Sequence, residues 1–216
     1  MAQYAVIGLG RFGFAVVETL LKDGHEVLAV DNDRSIVQKA SEIAHNCVEF
    51  DSTDRSNLEA VGITGFDAVI VAIGRDLEAS ILTTMNLKEL GVKRVLAKAR
   101  DKTHADILEK VGADEVIFPE RDTAIRLVHK LEFHAIEEIL DMPGNYNLAK
   151  TRIPKKLIGK TLRIAELRKN YNVNVVALEK DGKLNVNPDP DAEFDTASFL
   201  WVIGKSNDIE RLIAAK

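Results

Sequence analysis

The chain has 216 residues, 46% of them hydrophobic, and a formal net charge of -5 at pH 7, enough apolar content to bury the core of one large domain or of a standard domain plus a small one. The acidic balance argues against a nucleic-acid polymer as partner, because such binders carry a basic excess on one face. A single cysteine, Cys47, excludes an intrachain disulfide and any Cys-x-x-Cys zinc site, and fits a reducing cytosol.

The N-terminus runs straight into a strand pattern, residues 4–8, without a charged and then apolar leader, and no apolar run approaches the ~20 residues of a membrane span. Membrane association is therefore expected only through a partner. The strand ends in Gly8-Leu9-Gly10-Arg11-Phe12-Gly13 and apolar residues then recur at helical spacing over residues 14–21, the strand-turn-helix context of a dinucleotide-binding fingerprint. Gly8 makes the tight turn, Gly10 leaves no side chain between backbone and pyrophosphate, and Gly13 lets the helix press on the sheet. Unpaired N–H groups and the positive end of the helix dipole favour a phosphate there.

Strands follow at residues 26–30, 47–50, 68–72, 94–97 and 115–118. Between the strands of this half lie helices at 12–22, 34–42, 57–61, 77–90 and 102–111. Gly24, Gly62, Gly91 and Gly112 each follow a helical run, as C-cap glycines do. This rhythm predicts an α/β fold, a Rossmann-type doubly wound parallel six-stranded sheet over residues 1–120. An amphipathic run at 121–140, carrying Ile125, Val128, Leu131, Ile136, Ile139 and Leu140, reads as one long helix. It is either a sixth packing helix or a crossover helix that packs on a second subunit, and Pro143-Gly144 closes that segment at residue 142.

From 143 onward a second, smaller α+β domain is expected, with strands at 146–153, 174–179, 183–186 and 199–203, helices at 162–169 and 208–214, and a hairpin at Asp181-Gly182. Residues 141–216 carry 13 Lys and Arg against 10 Asp and Glu, so the acidic excess lies in the first part.

The candidate ligand residues follow the rule that such sheets bind at the carboxyl ends of their strands. Asp31, with Asn32 beside it, ends the second strand about 20 residues after the glycines, where a carboxylate accepts both ribose hydroxyls. The alternative is a turn or N-cap aspartate. Asp31 also repels a 2′-phosphate, which disfavours NADP. Asp51 and Ser52 either meet an adenine edge or belong to the cap of the next helix, and Ala72, Ile73 and Gly74 lie flat against the nucleotide. Lys98 ends the fifth strand and Glu120 follows the sixth: a lysine there pairs with phosphate and a glutamate holds a divalent cation, or both are simply solvated. Arg11 either folds onto phosphate or points outward, toward a nucleotide in a neighbouring subunit.

The five histidines, His25, His45, His104, His129 and His134, fit surface or packing roles. A dehydrogenase adds a substrate domain with an acid/base, often a histidine, and the segment after Pro143 has no histidine. The acidic loop 187–193 lacks the spacing of a calcium loop. A redox-sensing transcription regulator would need a DNA-reading helix pair that the sequence does not show.

Taken together, the glycine loop, Asp31, Asp51-Ser52-Thr53-Asp54, Val71-Ala72-Ile73-Gly74, Lys98 and the Phe118-Pro119-Glu120 turn resemble the potassium-conductance regulator (RCK) domain across the whole chain. More narrowly, the pattern is similar to the KtrA/TrkA-type cytosolic regulatory subunits of bacterial potassium-uptake systems. The resemblance implies a non-enzymatic subunit, cytoplasmic and peripheral on the inner face of the membrane, that gates a membrane potassium transporter. It implies homodimers through the helix after the sixth strand, an octameric ring of those dimers, and ATP or ADP at the glycine loop favouring different ring shapes. By position, Asp31 holds the ribose and Arg11 reaches the terminal phosphate, in its own subunit or across the dimer. Lys98 lies near the nucleotide, and Glu120 joins a divalent-cation site near the γ-phosphate. Some relatives bind cyclic di-AMP at the dimer interface of the C-terminal domain. The family often has a small or amide residue near Asp51. The competing reading is an NAD-dependent oxidoreductase using NAD(H), since the same loop occurs in hydroxy-acid dehydrogenases.

Overall fold

Short β-branched runs separated by amphipathic helices build the first half of the molecule. The computed structural model describes residues 1–132 and 136–215. Its strands and helices run β1 (Gln3–Ile7), α1 (Arg11–Lys22), β2 (Glu26–Asp31), α2 (Arg34–Ala40), β3 (Asn46–Glu49), α3 (Arg55–Ala60), β4 (Ala68–Val71), α4 (Leu77–Glu89), β5 (Val95–Lys98), α5 (Lys102–Lys110), β6 (Glu115–Ile117) and α6 (Pro119–Glu132). The six strands form one parallel sheet in the order β3-β2-β1-β4-β5-β6, the doubly wound order whose reversal, between β1 and β4, opens a crevice at the strands' carboxyl ends.

Strand alternation explains why both faces of the sheet are apolar. Ala5 and Ile7 of β1 enter a core with Leu58, Leu87 and Leu108 from α3, α4 and α5. Val6 between them enters a second core with Val17 of α1 and Ala40 of α2. Each of the three leucines is fully buried, a contribution of about 2 to 3 kcal/mol apiece relative to exposure. Gly24, Gly62, Gly91 and Gly112 all stand in the left-handed region, with φ between 65° and 106°, as the ends of the expected helices required.

The second half contains β7 (Ile136–Met142), β8 (Tyr146–Arg152), α7 (Leu162–Ala165), α8 (Leu167–Tyr171), β9 (Asn174–Lys180), β10 (Lys183–Asn185), β11 (Ser198–Lys205) and α9 (Ser206–Ile213). An antiparallel sheet in the order β10-β9-β11-β8-β7 packs one face, through Ala149, Leu200 and Val202, against Leu167, Tyr171, Ile209 and Leu212 of the helices. Asp181 and Gly182 both have positive φ, 51° and 71°, the paired left-handed residues of a type I′ hairpin. Glu166, at φ 41°, breaks the helix expected over 162–169 into α7 and α8.

One expectation is overturned. Of the helix read over 121–140, and with it the helical segment drawn to residue 142, residues 133–135 lie outside the described residues, the part up to Glu132 is helical, and Ile136–Met142 is a strand paired antiparallel with β8. His134 lies outside the described residues. Ile136, Ile139 and Leu140 satisfy helical spacing, but cross-strand pairing decides: Ile136 is buried and Ile139 packs with Ala149 and Leu200 in the core of the second half. Pro143-Gly144 turns a hairpin between β7 and β8, so it does not open a domain at 143. The chain divides instead into Met1–Glu120 and Arg121–Lys216. Among the described residues no helix is long and apolar enough to cross a membrane.

Candidate functional site

The glycine loop is built by contact distances. Gly8 has φ +93°, and a Cβ there would stand 3.0 Å from both the Ala72 carbonyl carbon and the Ile73 nitrogen; its N–H donates to the Val30 carbonyl at 2.8 Å. A Cβ on Gly13 would fall 1.9 Å from the Gly8 carbonyl oxygen, so helix and loop meet with nothing between them. Gly10 has no atom within 4 Å of its would-be Cβ, which leaves open space above the backbone. It is also the N-cap of α1, without a side-chain cap. The next four helices start on Asp33, Asp54, Asp76 and Asp101, each accepting a backbone N–H. The first-turn N–H groups of α1 thus remain for an anion.

Asp31 is braced to this loop. Its Oδ2 accepts the Leu9 N–H at 2.7 Å and its Oδ1 the Asp33 N–H at 2.9 Å. The remaining lone pairs of both oxygens are the acceptors a ribose diol would use. The cap of α2 is Asp33, so Asp31 is a turn aspartate whose further acceptor capacity faces the same cleft as Asn32. Asp51 Oδ1 accepts from the Thr53 N–H at 2.9 Å and hydroxyl at 2.7 Å. Ser52 is 6% exposed and its hydroxyl bonds to Thr83 Oγ1 at 2.8 Å, which commits that side chain to α4. The cap of α3 belongs to Asp54, which accepts the Ser56 N–H at 2.9 Å.

On the other side of the loop, Lys98 and Glu120 meet: Lys98 Nζ lies 2.5 Å from Glu120 Oε1. The Lys98 side chain is 13% exposed and that of Glu120 72%. The ammonium also stands 5.7 Å from the Phe12 ring centre, within cation–π range, and a Cβ on Gly74 would come within 3.3 Å of it. The hydrogen bond from Lys98 holds the Glu120 carboxyl below its ordinary range, partly opposed by desolvation and aided by the charges of Lys98 and Arg11. Two residues read separately from the sequence therefore form one ion pair at the ends of neighbouring strands.

These groups line a single cleft of about 740 Å³, within the usual size of a small-molecule site. Gly8, Gly10, Arg11, Phe12, Asp31, Asn32, Asp51, Ser52, Ala72, Ile73, Gly74, Lys98 and Glu120 all border it, and Gly13 lies beneath, buried in α1. The sequence reading missed Phe50 and Arg100, at or within two residues of a strand end, Arg75 and Asp76, four and five residues past β4, and Ile36 and Ala79 on helices, for which the motif gave no signal.

Among the described residues no group of three or more His, Cys, Asp or Glu could hold a metal. A divalent ion at Glu120 fits only the kind that takes one carboxylate together with phosphate oxygens and water. His104 is a packing residue: it is buried, its Nδ1 accepts the Arg100 N–H at 3.3 Å, and burial lowers its pKa. His25 sits edge-on to the Tyr4 ring. In the second unit a smaller cavity of about 350 Å³ is lined by Lys156, Lys160, Asn170 and Tyr171 among others, with the Lys156 ammonium 5.5 Å from the Tyr171 ring centre.

Comparison with known proteins agrees with this division. The TrkA-N domain model matches residues 4–119 and the TrkA-C domain model residues 151–215. The chain is 39% identical over 209 residues to the Ktr system potassium uptake protein C of Bacillus subtilis (strain 168), covering 97% of this chain and 95% of that protein. Among solved structures, the GsuK channel bound to NAD matches 100% of this chain and 39% of its own, with TM-score 0.55 and 23% identity, a likeness of fold. GsuK bound to ADP matches 61% of this chain and 34% of its own, with TM-score 0.52 and 26% identity. The chain thus spans well under half the length of those channel chains.

Proposed function

We propose that this chain, which belongs to the TrkA-N family and is a relative of the Ktr potassium uptake proteins, is the nucleotide-binding regulatory subunit of a membrane potassium transporter and is not an enzyme. The observation that carries the reading is the cleft itself: an uncapped helix start over Gly10, an acceptor carboxylate at Asp31, and the Lys98–Glu120 pair on the far side. The glycine loop and Asp31 supply binding common to adenosine nucleotides. Arg11, in its own subunit or across a dimer, and Lys98 meet the terminal phosphates, and Asp51 lies toward the base.

A γ-phosphate competes with Glu120 for Lys98. The carboxylate it displaces is then placed to hold a divalent cation beside that phosphate, a contact that ADP does not offer. A ligand shifts a conformational equilibrium only through such a difference in affinity between states.

The partners follow from the same reading. α6 carries exposed Ile125, Leu127, Val128 and Leu131, an apolar stripe suited to a homodimer, and dimers assemble into an octameric ring against the cytoplasmic side of the transporter. The basic cavity at Lys156 and Lys160 suits an anionic second ligand such as cyclic di-AMP.

Native mass spectrometry of the purified chain with ATP, ADP, NAD and NADH tests this, read together with ring assembly. Binding of ATP and ADP with different assembly states is expected. Tight NADH binding with hydride transfer to a 2-oxo acid would overturn it in favour of a dehydrogenase.

A further inference from the structure

We infer that Arg75 is a specificity-determining residue of the cleft, selecting a nucleoside 5′-triphosphate over the diphosphate by contact with the terminal phosphate. The inference rests on the nucleotide reading above and adds a residue to it. Arg75 follows β4 by four positions and borders the same cleft as Gly10, Arg11 and Lys98. The β4 exit lies directly against the glycine loop, since Gly8 has room for no Cβ between itself and Ala72–Ile73. An arginine side chain two residues beyond Ile73 therefore starts beside the seat of the phosphates.

Three features show that the fold itself does not use this cation. Arg75 makes no hydrogen bond or ion pair among the described residues, whereas Lys98 is tied to Glu120 and Arg100 to Asp101 at 3.2 Å. Its neighbouring acid, Asp76, is turned to the Ala79 N–H at 2.9 Å as the cap of α4. Arg75 also immediately precedes that cap, at the positive end of α4, where a cation has the wrong sign for the helix dipole. A bound anion supplies the missing partner. The sheet order sharpens which anion: Asp31 ends β2 and Asp51 follows β3, whereas at the ends of β4 and β5 three cations, Arg75, Lys98 and Arg100, outnumber one acid, Asp76, which is spent on its cap. A chain of phosphates leaving the glycine loop toward β4 and β5 meets charge of opposite sign, and guanidinium matches phosphate geometry with two parallel hydrogen bonds.

The test is calorimetric binding of ATP and ADP to the full chain and to Arg75→Ala and Arg75→Lys, with melting temperatures measured without nucleotide. Loss of a charge-assisted contact predicts ATP weakened about tenfold in Arg75→Ala with ADP changed less than about threefold, and an intermediate ATP loss in Arg75→Lys. The ligand-free melting temperature should stay level or rise. Equal losses for ATP and ADP, as stacking on the base would give, overturn the assignment. So does an unchanged ATP to ADP ratio in a protein that binds both, or a fall in ligand-free melting temperature, which would make Arg75 structural. A wild-type chain that binds no adenine nucleotide overturns the reading of the cleft itself, and the role of Arg75 with it.

Discussion

Replacing Glu120 by Gln removes a charge from the cleft while keeping the shape of the side chain. In the ligand-free protein the Lys98–Glu120 bond is short, but Glu120 is 72% exposed, so solvent screening limits the pair to about 0.5 to 1 kcal/mol. Stability should therefore fall by no more than that. The effect on binding has two opposite parts. Without a divalent cation, a γ-phosphate no longer has to displace a carboxylate from Lys98, and ATP affinity rises by at most about fivefold, the equivalent of that 1 kcal/mol. With the cation present, its one protein carboxylate is missing, and the gain that magnesium gives to ATP binding shrinks. The ratio of ATP dissociation constants without and with magnesium should therefore approach one, with ADP changed less than about twofold. Calorimetric titrations of both nucleotides, with and without magnesium, measure all four constants. An equal loss for ATP and ADP, or a magnesium dependence the same as wild type, would refute the exchange of partners at Glu120.

Gly13→Ala tests the floor of the cleft: a Cβ 1.9 Å from the Gly8 oxygen forces α1 off the sheet, and denaturant unfolding should show a loss of about 3 kcal/mol or more. In the second unit, hydrogen bonds from Lys180 and then Ser198 hold the Asp195 carboxyl down to about 2, against an ordinary 3.8. A depressed carboxylate contributes stability that is complete above the unfolded value and is lost as pH falls through the folded one. The melting temperature should therefore fall as pH drops from about 4 to about 2, and Asp195→Asn should flatten that decline; an unchanged slope contradicts the pairing.

The first half was readable because local rules and tertiary structure agree there. β-branched runs, helix-ending glycines and a fingerprint with a carboxylate at the right distance all point to one sheet, in which Gly8 makes the turn and Gly13 lets helix and loop meet, as their spacing implied. Reading failed where one pattern serves two structures. Ile136, Ile139 and Leu140 fit a helix face as well as a strand, and only β8, further along the chain, decides between them. Ser52 was legible as a strand-end residue but not as the partner of Thr83, which a distant helix supplies. The Lys98–Glu120 pair also lay outside any motif. It follows from strand order, since β5 and β6 are neighbours and their carboxyl ends bring the two side chains together. Arg75 stands four residues past the end of β4 in a turn, where sequence alone gives an arginine no reason to be anything but solvated.

Glu120 is the last residue of the first unit and the second residue of α6. The partner it takes is therefore settled at the root of a 14-residue helix, about 21 Å long at ~1.5 Å per residue. A tilt of about 5° at that root displaces the far end by about 2 Å over this length. The ion pair thus stands at the root of a lever, where a change of partner at Glu120, an event of atomic dimensions, is enlarged along the helix itself.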